Sequence, residues 1–586
     1  MKAGPLDGDD NPCRPRHFLP VAATSTALVP QAKSLALSRN RLAVTGAVFV
    51  FAFLVIGTRL AQVTLLIKPD AELTHLVQPA VVKPVDYGRA DIIDRNGAVL
   101  ATTLDSPSLF AYPHQIADPI DTAHKLARVL PGTDEAKLRA RLTATDKKSF
   151  VSLYHHLTPS QQYAVNALGV PGLEFEPEQR RIYPNGALAA HVVGYLGVAN
   201  NFSAGMERSF DADLDSTREP LQLSIDIRLQ DILREEMEKT VADFSAIGAT
   251  GIIMDVRSGE ILSMVSLPDF DPNDRDNAVK ETMFNRATLG VYEMGSVFKI
   301  FNTALALDSH KSTLNSIYDT RPITIGRFTI HDYHPFNRPA SVTEIFMESS
   351  NIGSARMVME NGPEVQKAFL DKLGLLRPPA IELPEIGVPE VPHPWREINA
   401  MTIAFGHGLA VSPLQTAIAA SAIVNGGILR PATLIKHAEG YVPDGTRVVS
   451  EHTSEEMRKL MRLVVTEGTG KKADVPGYLV GGKTGTADKV SAHGGYAKKA
   501  LLSSFIGVFP MNDPQYMVYV IIDEPHGTKK SYGFATAGWT AAPAVSRIVA
   551  RMAPLYGVRP IEETPEIHRA ITLDLSGPSR QVAEVD

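Results

Sequence analysis

A chain of 586 residues is too long for one hydrophobic core, so at least two folded domains are expected. Hydrophobic residues make up 44% and charged residues 21%, which excludes a wholly disordered polymer. The net charge of -7 gives no support to a nucleic-acid partner.

Residues 1–40 are rich in Pro, Ala and Ser without an apolar period, and disorder is predicted there. The one cysteine, Cys13, lies in this tail and cannot form an intramolecular disulfide. From 42 to 58 no side chain is charged; Arg59 follows, then an apolar run over 60–67 interrupted by Gln62. That length suits a membrane-spanning helix. Lys33, Arg39 and Arg41 precede it, whereas Lys68, Asp70 and Glu72 follow, so the positive-inside rule puts the N-terminus in the cytoplasm and the remainder outside. A cleaved signal peptide is the alternative, and the long preceding tail argues against it.

Short strand-like runs and turns fill the next stretch. Asp94-Arg95-Asn96-Gly97 lies between two apolar runs and predicts a hairpin. A composition boundary falls near Glu219-Pro220. The resulting division is a tail (1–40), a membrane anchor (41–67), a mixed domain (68–218), a larger domain (219–555) and a C-terminal tail (556–586).

In the larger domain the apolar spacing predicts a helix over 226–244, then strands over 251–256 and 260–266. Asp269 to Asp276 has the look of a calcium loop, but Asp274 stands at its glycine position and Lys280 at its bidentate-acid position, which leaves a surface loop. His331 and His334 are close, yet no acidic or Cys cluster completes a metal site, and no cofactor is expected. Further helices are predicted from Ser296, over 413–424 and over 541–552, with strands over 478–486, 503–509 and 516–523. Five strands joined mostly by hairpin-length links, with helices at both ends, suggest an α+β domain: a largely antiparallel sheet between helical layers.

Three motifs carry the chemistry. Ser296-Val297-Phe298-Lys299 sets a hydroxyl at a helix start and an amine one turn later. A lysine desolvated beside other cations loses basicity, so Lys299 suits a general base and Ser296 a nucleophile. Alone, such a Ser-x-x-Lys is ordinarily an N-cap with a solvated lysine. Ser349-Ser350-Asn351 follows an apolar helix-like stretch: Ser349 could relay a proton to a leaving amine, and Asn351 could bind a substrate amide and Lys299. Alone, this triplet reads as a polar turn.

The third motif, Lys483-Thr484-Gly485-Thr486, lies on a predicted strand after Gly481-Gly482. Glycines 482 and 485 would let a peptide lie along the strand edge. Lys483, Thr484 and Thr486 would hold a carboxylate, and the Thr486 N–H with that of Ser296 would form an oxyanion hole. A phosphate-binding loop starting at Gly477 is the competing reading, but no helix follows Lys483-Thr484.

Anchor, extracytoplasmic region and the three motifs together resemble the class B penicillin-binding proteins, over about residues 42–550. Gly88-Arg89 with Ile92-Ile93-Asp94-Arg95-Asn96-Gly97, Arg181-Ile182-Tyr183-Pro184, residues 191–197 and Gly205-Met206-Glu207 are similar to the family's non-catalytic pedestal, which has a dimerisation-type fold. Asn285-Arg286-Ala287, Gly406 to Gly408 and Asn425-Gly426-Gly427 fit its transpeptidase domain, which has the serine β-lactamase-like fold. The resemblance implies attack of Ser296 on the D-Ala-D-Ala bond of a donor stem peptide, loss of D-Ala, and resolution by an amine of a neighbouring stem. It also implies acylation by β-lactams. Ser349-Ser350-Asn351-Ile352-Gly353 looks like the division-specific (septal) branch, since the elongation branch tends to carry Asp where Asn351 stands. No glycosyltransferase-like segment is present, so a membrane-embedded glycan polymerase and other division proteins are the implied partners. Met294 departs from the proline many relatives carry, which leaves the rigidity of the nucleophile loop in question.

Three alternatives stay open: an elongation transpeptidase, a membrane-anchored β-lactamase or β-lactam sensor, and a scaffold that has lost catalysis. A hydrolase needs a water-activating group, and no Glu-x-x-Leu-Asn segment lies between 351 and 483.

Overall fold

The computed structural model describes residues 32–65, 88–143, 150–197, 203–326, 328–490 and 495–573. Cys13 and most of the predicted disordered tail lie outside these. Residues 32–40 are not irregular as expected; they belong to helix α1 (Ala32–Leu65). Within it, Ala43–Gln62 is long and apolar enough to cross a bilayer, with mean hydropathy 2.0. Twenty helical residues span about 30 Å at 1.5 Å each.

In the mixed domain β1 (Ile92–Ile93) and the long β2 (Val99–Ala111) form the predicted hairpin across Asn96-Gly97. Asp94 fixes the turn by accepting the N–H groups of Asn96 and Ala98 at 2.7 and 2.8 Å. Helices α2 (Pro119–Val129), α3 (Glu135–Leu142) and α4 (Pro159–Asn166) start at Asp118, Asp134 and Thr158, whose side chains cap the first free N–H groups. Leu126, Leu138, Leu142 and Val165 from these helices, with Leu130 at the end of α2, pack on Leu109 and Leu153. Strand β3 (Val151–Tyr154) pairs with one edge of β2, and β4 (Leu173–Ile182) with the other.

Helix α5 (Gly205–Ser209) carries Glu207, which is fully buried. Its carboxylate receives Arg89 Nε and Arg181 Nε, each at 2.7 Å. Three separate sequence signatures therefore meet at one carboxylate. Strand β5 (Leu221–Gln222) then pairs in parallel with β1 and leads the chain into the larger domain.

That domain is built on one five-stranded antiparallel sheet. In spatial order its strands are β10 (Gly481–Val490), β11 (Tyr496–Phe509), β12 (Tyr516–Asp523), β6 (Gly248–Asp255) and β7 (Ile261–Leu267). Successive side chains feed opposite faces. Ile252, Met517, Tyr519 and Ile521 join one core, while Ile253, Val518, Val520 and Ile522 join the other. The second core is closed by α6 (Ile227–Asp243) and α12 (Ala541–Leu555). The first is closed by α7 (Lys299–Asp308), α10 (Pro413–Val424) and α11 (Glu451–Thr466). The sheet is thus sandwiched between helical layers, as the strand and helix order implied. Helix α10 is buried almost all round and starts with a capping box between Ser412 and Gln415.

Candidate active site

Strand β8 (Tyr292–Glu293) pairs with β9 (Ala410–Val411) and delivers the chain to Gly295, which has φ +54°. Its N–H donates to the Gly406 carbonyl at 3.1 Å. A Cβ on Gly406, itself at φ +86°, would fall 2.0 Å from the Gly295 carbonyl oxygen, so only glycine fits. Residues Gly295–Phe298 form a 3-10 turn, and the α-helix proper begins at Lys299, three residues later than predicted. Met294 does not loosen this loop: it is buried, and the Tyr519 hydroxyl donates to its sulfur at 3.2 Å.

Lys299 is completely buried. Its Nζ lies 3.0 Å from Ser296 Oγ, 2.8 Å from Asn351 Oδ1 and 3.1 Å from Ser349 Oγ, and it also donates to the Ser349 carbonyl. Burial pushes this amine well below the ordinary lysine range, and the neighbouring Lys483 charge pushes it further.

The Ser-Ser-Asn triplet links α8 (Val342–Met347) to α9 (Asn351–Asn361). Ser349 sits at φ +67°, rare for a residue with a Cβ, and its hydroxyl lies between Lys299 and Lys483. Ser350 instead caps α9, accepting from Gly353 N at 2.9 Å. Asp332 fixes the triplet: its buried carboxylate receives Ser350 Oγ at 2.7 Å, Ile352 N at 3.0 Å and Asn351 N. Sequence reading missed Asp332; a buried acid at a helix N-terminus is its only signal, and the contact is tertiary.

Lys483 is also fully buried, with Nζ 2.9 Å from Ser349 Oγ. Burial brings its pKa down to about 7, against a smaller upward pull from Glu348. Behind Ser349, it is not among the residues lining the cavity. Glycines 482 and 485 of this strand are required by packing. A Cβ at 482 would strike the Ile506 carbonyl and Phe505; one at 485 would strike Ser504 and Val297 of the nucleophile turn. The Thr486 carbonyl faces Gly295 across the open edge of β10. In a strand a residue's N–H points the same way as its carbonyl.

These groups border a cavity of 590 Å³. Ser296, Ser349, Asn351, Thr484 and Thr486 line it. So do His407, within the Gly406 to Gly408 segment, and residues outside the sequence motifs: Tyr333, His334, Thr469, Lys472 and Trp539. Of the candidate site residues, Ser296, Lys299, Ser349, Asn351 and Lys483 are joined by direct bonds. Thr484 and Thr486 reach the wall, and Gly485 lies beneath it. The chemistry this permits is proton removal from a serine hydroxyl by a deprotonated, desolvated amine, with a second hydroxyl as relay.

The chain matches the model of the penicillin binding protein transpeptidase domain over residues 249–546 and that of the penicillin-binding protein dimerisation domain over residues 84–220. It is 41% identical over 488 residues to the probable peptidoglycan D,D-transpeptidase FtsI of Caulobacter vibrioides, covering 81% of this chain and 82% of that protein. Against the peptidoglycan D,D-transpeptidase FtsI of Escherichia coli K12 the identity is 30% over 514 residues, covering 82% and 85%. Among solved structures, the transpeptidase domain of Burkholderia pseudomallei penicillin-binding protein 3 is 33% identical, with a TM-score of 0.52, covering 58% of this chain and 98% of that one. Penicillin-binding protein 3 of Mycobacterium tuberculosis shares the fold at 24% identity and TM-score 0.64, covering 83% and 98%. With both domain models matched in order behind an N-terminal apolar helix, the chain belongs to the penicillin-binding protein transpeptidases of class B.

Proposed function

We propose that this protein is the septal peptidoglycan D,D-transpeptidase of its cell, cross-linking stem peptides through an acyl-enzyme on Ser296. The neutral amine of Lys299, 3.0 Å away, takes the Ser296 proton as Oγ attacks the D-Ala-D-Ala carbonyl. The N–H groups of Ser296 and Thr486 receive the oxyanion. Ser349, bonded to both lysines, carries the proton to the departing D-Ala amine. Asn351 orients Lys299 and the donor amide, and Thr484 and Thr486 hold the terminal carboxylate. An amine of a second stem then resolves the ester. β-Lactams acylate the same serine and stay bound.

One observation carries this reading: two buried lysines converge on Ser349 beside Ser296, in a chain that follows a probable FtsI along four-fifths of its length. Lys33, Arg39 and Arg41 before the apolar helix support a cytoplasmic N-terminus and an extracytoplasmic catalytic domain. The partners would be a membrane-embedded glycan polymerase and other division proteins.

The test is mass spectrometry of the full-length protein after penicillin exposure. The expected adduct is on Ser296 and absent from Ser296→Ala; a missing adduct sinks the reading. Rapid release of the label would mark a hydrolase instead. A fluorescent fusion is expected at midcell, and side-wall signal alone would assign the protein to elongation.

A further inference from the structure

A second cavity, of 670 Å³, lies beside the catalytic one. Glu293, Glu390, Gly408 and Lys489 are among its walls, and Asp488 lines both cavities. Asp488 is four residues along β10 from Thr484, about 13 Å at the usual strand rise. The two cavities therefore meet on the same strand beyond both threonines proposed to hold the donor carboxylate, Thr486 standing two residues, about 7 Å, from Asp488.

The partition between them is held rigidly. Glu293 accepts from Gly408 N at 2.7 Å and from the Tyr496 hydroxyl at 3.1 Å, and the Tyr496 ring lies edge-on to His407 at 5.5 Å. Burial pushes the His407 imidazole below its ordinary range, so the partition adds no positive charge at neutral pH, although Glu293 and Asp488 pull the other way and Lys299 adds to the downward push. Its Nδ1 is buried without a hydrogen-bond partner among the described residues, an orphaned polar atom in the wall.

Among the described side chains, those around the cavity carry more acidic than basic groups. Glu390 and Asp488 are exposed, and neither has an ion-pair or side-chain hydrogen-bond partner among the described residues. Lys489 does not neutralise them, since its ammonium is bound to Asp523 at 2.9 Å and Glu524 at 2.7 Å. Among the described side chains the chamber is therefore lined by three carboxylates, Glu293, Glu390 and Asp488, and one ammonium already paired elsewhere, and it meets the catalytic cavity at Asp488.

Transpeptidation needs two substrates. The acyl group of the first stays on Ser296, and the second must bring a primary amine, which is an ammonium ion in neutral water. We propose that the second cavity receives the acceptor stem and holds its ammonium group between Asp488 and Glu390 before delivery to the acyl-enzyme. This inference rests on the transpeptidase reading above. On entering the cleft the ammonium releases one proton to water, because burial there disfavours a cation, as it does for Lys299 and Lys483. The amine nitrogen then bonds to the acyl carbon and the bond from that carbon to Ser296 Oγ breaks. The remaining excess proton of the nitrogen passes to Lys299 and from it to the departing Oγ.

The test uses full-length detergent-solubilised protein with a D-Ala-terminated thioester as donor. The acceptors are D-alaninamide, a cation, and methanol, which is neutral. The readouts are the ratio of transfer to hydrolysis product and the acceptor concentration giving half-maximal transfer. Both concern the fate of an acyl-enzyme already formed. In the Asp488→Asn/Glu390→Gln double variant the D-alaninamide half-saturation is expected to rise about tenfold, and in Asp488→Lys further still. The methanol ratio is expected to stay within twofold. Unchanged D-alaninamide transfer, or an equal fall with methanol, would overturn the acceptor site while leaving the transpeptidase reading intact. Failure of the unmodified protein to form any acyl-enzyme would overturn both.

Discussion

Two lysine amines share one serine hydroxyl at the heart of the site, and their titration sets when it works. Both are completely buried, and each is held below its ordinary range chiefly by loss of water. A base must be unprotonated, so lowering the pH through the folded-state pKa removes activity. With Lys483 at about 7 and Lys299 well below the ordinary lysine range, both buried amines lose their protons at lower pH than a solvated lysine. The second-order rate of penicillin acylation is therefore expected to rise about tenfold per pH unit on the acid side and to level off well below the pH at which an ordinary lysine loses its proton. Lys483→Met removes a positive charge that depresses Lys299, so the inflection should move to higher pH in stopped-flow measurements. A profile still climbing steeply at pH 9 in the unmodified protein would mean that Lys299 is not the base.

At the scale of elements, the nucleophile depends on a glycine contact between two loops. Gly406 and Gly408 both have left-handed backbones, but only at 406 would a methyl group meet the Gly295 carbonyl; at 408 the nearest atom is Thr402 Oγ1 at 3.2 Å. Gly406→Ala is expected to slow Ser296 acylation at least tenfold, whereas Gly408→Ala should carry only the backbone strain, about 1–3 kcal/mol of stability. Equal acylation rates in the two variants would refute the positioning role. Much of this element structure was legible beforehand. The bounds of α10 were given by Ser412-Pro413 and Asn425-Gly426, and those of β12 by its apolar run. Strand β10 was drawn too early because Tyr478 and Leu479 look extended, yet Tyr478 N closes a turn onto Val475 O and Leu479 has φ +47°. At its other end it runs on to Val490, four residues past the predicted bound at Thr486. The motifs named the reacting groups, but Asp332, Thr469 and Trp539 reach the site only through tertiary folding, and no local pattern marks them.

For the whole molecule, Glu207 is the joint that ties the first domain together. Removing it would leave buried Arg181 without its carboxylate while Arg89 keeps Asp211 and Asp215, so the cost should fall below about 3–5 kcal/mol, that of a fully broken buried pair. Glu207→Ala is expected to lower the thermal midpoint of the solubilised full-length protein. Glu207→Gln, which keeps one acceptor oxygen, should lose less; a midpoint unmoved in both would deny the joint any structural weight. The sheet of the second domain has a different dependence. Its central neighbours β6 and β12 are laid down at opposite ends of that domain's sequence, and the strand bearing Lys483 comes after the nucleophile by nearly two hundred positions. A ribosome therefore finishes the reactive serine long before it makes the walls that activate it. Half-made copies are chemically mute, and vulnerability to an antibiotic is acquired only when the last strands are in hand.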